Sequence, residues 1–281
     1  MRGAQVDSVS RFVRAWLLGA SLLVVSGLGT PGSAYANDSA AGLDGGVLVL
    51  RRADGIVMES EELMLSMNQV TVRYRFRNAT AQDIVTVVAF PLPPMVPPDQ
   101  LEAAGANVTY DPQLDNPLRF ALSVEGQAVP FQTERKNSLE GLLLSHYWTQ
   151  TFPAAKTITV EHSYRPALWQ SYARKPSADD ISKYCIDRGT KGAIKGIASQ
   201  DEHRLYFASV LQYIVKTARN WHGPIERFTL TVDKGDPQNV VSLCISGLRK
   251  VSPTRFVVSK RNFVPDQDLA ALFVTTRDRV Q

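Results

Sequence analysis

Cysteine and histidine are scarce in this chain, with two of the first and four of the second among 281 residues. That scarcity excludes a disulfide-dense scaffold, and no H-x-H, H-E-x-x-H or C-x-x-C is present to pair ligands around a metal. The G-x-S-x-G and S-x-x-K nucleophile motifs are missing as well, and so is a phosphate loop. Charge of one sign is also lacking. The formal net charge is +4, too small to supply the concentrated basic face that nucleic-acid binding requires. Long apolar runs are absent after residue 28, so no later segment reaches the ~20 residues needed to cross a bilayer as a helix.

What is present begins with an N-terminus unlike the rest. Arg2, Arg11 and Arg14 precede the apolar stretch Ala15–Leu28, Pro31-Gly32 breaks it, and Ala34-Tyr35-Ala36 is an A-x-A box. This order reads as a Sec-type secretory signal over residues 1–36, cut between Ala36 and Asn37. Its 14 apolar residues fall short of a membrane anchor. Removing 36 of 281 residues leaves 245, enough for one large domain or two small lobes. Three basic residues and one acidic residue leave with the leader, so the remainder carries 28 against 26 and is nearly neutral. The expected location is the periplasm or the secreted fraction. Both cysteines, Cys185 and Cys244, fall in the exported part, where an even pair most simply forms one disulfide. The alternative is a reactive thiol, which no local motif supports.

Strand signals dominate the mature part. Val70, Val72, Tyr74 and Phe76 alternate with Thr71, Arg73, Arg75 and Arg77, the period of a strand buried on one face. "DIVTVVAF" follows, then a proline cluster that ends pairing. "LRFALSVEGQAVPFQT" reads as a hairpin turning at Glu125-Gly126-Gln127. "LLLSHYWTQTF" and "KTITVEHSYRP" read as a further pair, and five more strand-like runs lie beyond residue 203. "DQLEAAGA" is a candidate short helix. Residues 165–202 form a long connection with helical turns expected near Asp179–Tyr184 and Lys191–Ala198. The expected fold is mainly β, antiparallel and sandwich-like, with ten to twelve strands in one body or two lobes. A β region over 37–164 and another over 203–281 pack together across the connection at 165–202.

Several separated stretches carry a resemblance: "NDSAAGLDGGVLVL", "IVMESEELMLS", "VTVRYRFRNAT", "YWTQTFPAAKTITVEHSYRP" and "YIVKTARNWHGPIERFTLTVDKG". Together they resemble a secreted bacterial family catalogued as domain of unknown function 4424, from about Asn37 to Thr275. The resemblance implies an exported, mainly β protein and brings no activity or catalytic residue with it.

Candidate sites rest on aromatics with polar tips. Trp221-His222-Gly223-Pro224 lies between two strands. Either Trp221 plugs the end of the sandwich at a chain corner, or Trp221 and His222 form a ligand platform. His146 and Trp148 share one face of a strand and Tyr147 takes the other. His162 and Glu161 fall on opposite faces, which weakens any acid–base pair. Asp201, Glu202 and His203 read as a solvated loop rather than a metal site. Glu140, Glu161, Asp179 and Asp180 are available for two-carboxylate chemistry, yet any chain of this length offers such choices. The row Arg73, Arg75, Arg77 either meets an anionic envelope polymer or is a solvated strand face that discourages edge aggregation.

The expectation for function is an exported binding module without enzymatic activity. Its ligand residues are expected among Trp148, Trp221, His222 and His146, beside the 165–202 connection, with an envelope ligand or protein as partner. No metal, cofactor or nucleic acid is expected. An envelope hydrolase with dispersed carboxylates or histidine, and a scaffold that adds a partner's strand to a sheet edge, are the rivals.

Overall fold

The computed structural model describes residues 39–44, 47–95, 110–139, 141–172, 175–199 and 204–278. The expected cleavage site at Ala36 and Asn37, the "DQLEAAGA" helix and the Asp201–His203 cluster lie outside the described residues. Three largely antiparallel sheets make up the fold, with no closed barrel among the described residues.

The largest sheet has eight strands. Its middle is β3 (Ile56–Ser66), β4 (Val70–Asn78) and β10 (Thr157–Tyr164). On one side β10 pairs with β6 (Ala121–Val124), which turns into β7 (Gln127–Ala128). On the other side β3 pairs in parallel with β13 (Ile225–Asp233), followed by β16 (Arg255–Phe263) and the two-residue β15 (Arg249–Lys250). The alternation read in the sequence is realised on β4, where Val70, Val72, Tyr74 and Phe76 are buried. The Glu125-Gly126 turn has φ of 51° and 76°, the left-handed pair that a two-residue hairpin loop demands. Glu125 tolerates this conformation while held to β10, where its amide donates to Thr159 O at 2.9 Å and its carboxylate accepts from the Thr159 amide.

A five-stranded sheet runs β2 (Val47–Arg51), β1 (Ser39–Asp44), β5 (Ile84–Pro91), β9 (Gly141–Phe152) and β8 (Gln132–Ser138). A four-stranded sheet runs β11 (Trp169–Tyr172), β12 (Arg204–Tyr213), β17 (Leu269–Asp278) and β14 (Val240–Ser242). One core joins them to the large sheet. Val88, Phe90, Leu144, Trp148 and Phe152 enter it from the first, Leu211, Tyr213, Ala271 and Phe273 from the second. Each of the larger apolar side chains among them, such as Phe90, Leu144, Leu211 and Phe273, contributes roughly 1.5–3 kcal/mol when fully buried.

The far face of the four-stranded sheet carries a smaller core. Leu272 and Val274 meet Tyr184, Ile186 and Ile194 from the helical connection. That connection forms α1 (Ala178–Lys183) and α2 (Arg188–Ser199), close to the expected helical turns. A reciprocal cap starts α1, with Ser177 Oγ accepting the Asp180 amide and the Asp180 carboxylate accepting the Ser177 amide. Cys185 and Cys244 are joined as a disulfide that ties the segment after α1 to the chain beyond β14. Among the described residues seventeen strands exceed the ten to twelve expected; the surplus includes β7 and β15, two residues each and too short to leave a periodic signal, and β11, which lies within the stretch read as a connection.

Candidate functional site

The Trp221 corner is built by backbone contacts with the N-terminal strands. A 3-10 turn over Lys216–Asn220 delivers Trp221, and the Asn220 carbonyl accepts the Ala53 amide at 2.7 Å. The His222 amide donates to Ile56 O at 2.9 Å, and Asn220 Nδ2 donates to Ser39 Oγ at 2.8 Å. Only Gly223 uses a left-handed φ, +80°; Asn220 closes the 3-10 turn instead. The indole of Trp221 is 1% exposed and packs on Phe76 at 4.6 Å and Phe152 at 6.0 Å. The side chain of His222 turns to solvent.

His146 and Trp148 do share the inner face of β9, and both are buried. Trp148 Nε1 donates to Gln150 Oε1 at 3.2 Å. The His146 ring stacks on Phe120 at 4.3 Å, and its Nδ1 meets Thr133 Oγ1 at 2.9 Å. Across the core His162 lies edge-on to Phe90 at 4.8 Å and to Trp148 at 5.4 Å. Burial lowers the His146 pKa to about 4, and burial followed by the nearby His146 lowers that of His162 to about 3. Both imidazoles are therefore neutral near pH 7. Thus His146, Trp148 and His162 meet in one aromatic core, Trp221 reaches its far end through Phe152, and His222 stands apart.

A second interior feature escapes sequence reading. Glu61 is fully buried on β3 opposite Tyr74. Tyr213 on β12 donates its phenol to Glu61 Oε1 at 3.2 Å. With that single proton committed, Tyr74 is the donor in its 3.0 Å contact with the Tyr213 oxygen. Burial first, then Tyr74 and Glu61, holds the Tyr213 pKa well above its ordinary value. The sequence signal was a change of apolar parity, from Ile56 and Met58 to Leu63 and Leu65. A bulge between Met58 and Ser60 makes the change, turning Glu59 outward and Glu61 inward.

On the outer face of the large sheet, the arginine row of β4 is ion-paired. Arg73 meets Glu161 at 3.4 Å, Arg75 meets Glu59 at 3.6 Å, and Arg77 meets Glu59 at 2.9 Å and Glu226 at 3.7 Å. Beside the row lies an open trough of about 790 Å³. Strand register sets its polar lining, with Glu62, Arg73 and Glu161 adjacent across β3, β4 and β10. Ser123 from β6 and Thr229 and Thr231 from β13 extend the lining to both sides. Ser123 Oγ lies 3.4 Å from Glu161 Oε2. Among the described residues there is no group of three or more metal-binding side chains, and no helix long and apolar enough to span a membrane.

Comparison with solved structures places this fold beside a protein of Legionella pneumophila described provisionally as nutrient binding. The match has a TM-score of 0.53 and 16% identity, over 86% of this chain and 71% of that one, which is a likeness of fold alone. Yeast leukotriene A4 hydrolase gives a TM-score of 0.33 at 11% identity, over 78% of this chain and 29% of its own. An M1 zinc metallopeptidase of Deinococcus radiodurans gives 0.29 at 10%, over 80% and 43%. Both likenesses are too slight to inform chemistry here. No curated protein matches the chain. The family model for Domain of unknown function DUF4424 matches residues 36–143 and 141–272, and the chain belongs to that family.

Proposed function

We propose that this chain is an exported, periplasmic binding protein that takes a polar ligand into the trough on the outer face of the eight-stranded sheet. The trough itself is the observation that carries this reading. It is an open depression of about 790 Å³ whose lining alternates hydroxyl, carboxylate and guanidinium groups across β13, β3, β4, β10 and β6. That volume lies within the range of small-molecule sites. The leader-like first 36 residues and the Cys185–Cys244 disulfide support export to an oxidising compartment. The Legionella protein of similar fold, with its provisional nutrient-binding description, supports a ligand of small size. Binding is favoured over hydrolysis because Glu62 and Glu161 flank Arg73 on an open strand face, whereas catalysis by carboxylates gains most in a site closed to water.

The test is recovery of the ligand. The mature chain from Asn37 is purified from the periplasm without refolding, denatured, and the released small molecules are identified by mass spectrometry. A polar molecule at near-equal stoichiometry, lost when Thr71→Trp fills the trough, is the expected result. An empty wild-type protein, or a Thr71→Trp variant that keeps its cargo, overturns the reading.

A further inference from the structure

The β13–β16 ladder carries two charged rungs of opposite character on the outer face of the large sheet. At one end Asp233 faces Arg255, and the two form an ion pair at 2.8 Å. Six residues away on β13, Arg227 faces Arg261 in direct register. Directly opposed residues on antiparallel strands bring their Cβ atoms within about 5 Å, and like charges there are destabilising. Both arginines are exposed, and neither has an ion-pair or hydrogen-bond partner for its guanidinium among the described residues. Of the nearby carboxylates, Glu62 lies beside Thr229 in the β3–β13 register with Arg73 on its other side, and the remaining two are ion-paired to the β4 row. Glu226 turns to Arg77, and Glu59 is shared by Arg75 and Arg77. Every arginine of the β4 row is thus compensated, while the β13–β16 pair is not.

The next rung toward the trough is Thr229 facing Ser259, with their hydroxyls 3.4 Å apart. Thr229 also lines the trough, two residues or about 7 Å along the strand from Arg227. Two arginines and two hydroxyl residues therefore occupy adjacent rungs beside one end of the proposed binding surface.

We infer that Arg227 and Arg261, with Thr229 and Ser259 beside them, form an anchor for a phosphate monoester carried by the ligand of the trough. The inference rests on the reading of the trough as a binding surface and names the anionic group the ligand presents there. Charge and geometry select phosphate over carboxylate. A carboxylate brings one negative charge and two oxygens, which a single guanidinium fork saturates. A phosphate monoester brings nearly two charges and three acceptor oxygens, matching two forks with hydroxyls in reserve. The anion also offsets the repulsion between the two facing arginines. The monoester can belong to a free metabolite or to a lipid headgroup, since both present the same chemistry.

Calorimetric titration of the mature wild-type chain with inorganic phosphate, glycerol phosphate and acetate tests the inference. Co-sedimentation with phosphatidylcholine vesicles, with and without phosphatidic acid, distinguishes the lipid source. The variants are Arg227→Gln, Arg261→Gln and their combination, with Arg255→Gln as control. Phosphate or glycerol phosphate is expected to bind the wild type and the control, and to weaken about tenfold or more in the double variant. Binding confined to phosphatidic acid vesicles, and lost in the same variant, supports the anchor with a lipid source. Each single variant is also expected to melt about 1–3 °C higher than wild type in phosphate-free buffer, because one like-charge contact is gone. Equal phosphate binding by the double variant overturns the inference, as do acetate bound as tightly as phosphate and no binding of phosphate or vesicles at all. Phosphate binding that survives in a Thr71→Trp variant that keeps its cargo leaves the anchor standing while the trough reading fails. An unaltered phosphate affinity in the double variant does the reverse.

Discussion

Glu61 and Tyr213, 152 residues apart in sequence, meet at 3.2 Å inside the core, with the Tyr74 phenol at 3.0 Å from the Tyr213 oxygen. The contact joins β3 of the large sheet to β12 of the four-stranded sheet through polar groups from which solvent is excluded. Because a buried carboxylate that loses a donor keeps its full desolvation cost, the pair is worth more broken than made. Tyr213→Phe is expected to destabilise by about 1–3 kcal/mol, a drop of roughly 2–12 °C in Tm for a domain of this size. Adding Glu61→Leu removes the acceptor that the Tyr213 phenol satisfied. The double variant should therefore melt above the additive expectation, and thermal denaturation of the four members of the cycle measures the difference. Strict additivity would refute the coupling.

The two buried histidines make stability depend on pH in a defined direction. His146 and His162 have native pKa values lowered to about 4 and about 3 by burial, against about 6.5 in the unfolded chain. Between these limits the unfolded state binds more protons, so stability is full above about pH 6.5 and falls as the pH drops toward 4 and then 3. Urea denaturation at pH 7 and pH 4.5 is expected to differ by several kcal/mol, an order-of-magnitude figure from two shifts of this size. His162→Phe should flatten the slope below pH 6.5. An unchanged slope in that variant would place the acid sensitivity elsewhere.

Much of the fold was legible because side-chain period reports burial directly. The β4 alternation, the shared face of His146 and Trp148, and the opposite facing of Glu161 and His162 all follow from a period of two. Relations between distant strands carried no such signal. The parallel pairing of β3 with β13 sets Ser60 beside Arg227 and Leu63 beside Leu230, and no local pattern encodes that register. The opposition of Arg227 and Arg261 needs the register of two strands whose facing residues are 34 positions apart. The bulge at Met58/Ser60 lay inside the run Glu59-Ser60-Glu61-Glu62, where four polar residues hide which of them turns inward. The Arg73–Arg77 row was visible as a row, but its partner Glu59 became visible only once that bulge was placed.

The disulfide holds a layer that packs weakly. Five buried apolar side chains form the small core between the four-stranded sheet and the helical segment, while Cys185–Cys244 closes a loop of 59 residues. In the chain-entropy model such a closure stabilises by roughly 4 kcal/mol. Cys185→Ser with Cys244→Ser is expected to free residues 178–199 first. Hydrogen exchange should rise over α1 and α2, while β3, β4 and β10 stay protected. Uniform loss of protection across all three sheets would show instead that the helical layer and the main core unfold as one unit.

Adjacent residues at the corner after the 3-10 turn give opposite forecasts. Trp221 is nearly without exposure and packs on Phe76 and Phe152, so truncation leaves a large cavity where three elements join. Trp221→Ala is expected to cost about 3–5 kcal/mol, or roughly 6–20 °C in Tm. His222 presents its side chain to solvent and holds the corner only through its amide, which donates to Ile56 O. His222→Ala keeps that amide and should stay within about 0.5 kcal/mol of wild type. Replacing His222 with proline removes the donor and is expected to be the more damaging change at that position. If this segment serves the architecture, phosphate affinity at Arg227 and Arg261 is unaltered in His222→Ala, and in Trp221→Ala measured below its lowered Tm. A Trp221→Ala protein that melts like wild type but loses ligand would make the indole a recognition element rather than the plug of the corner.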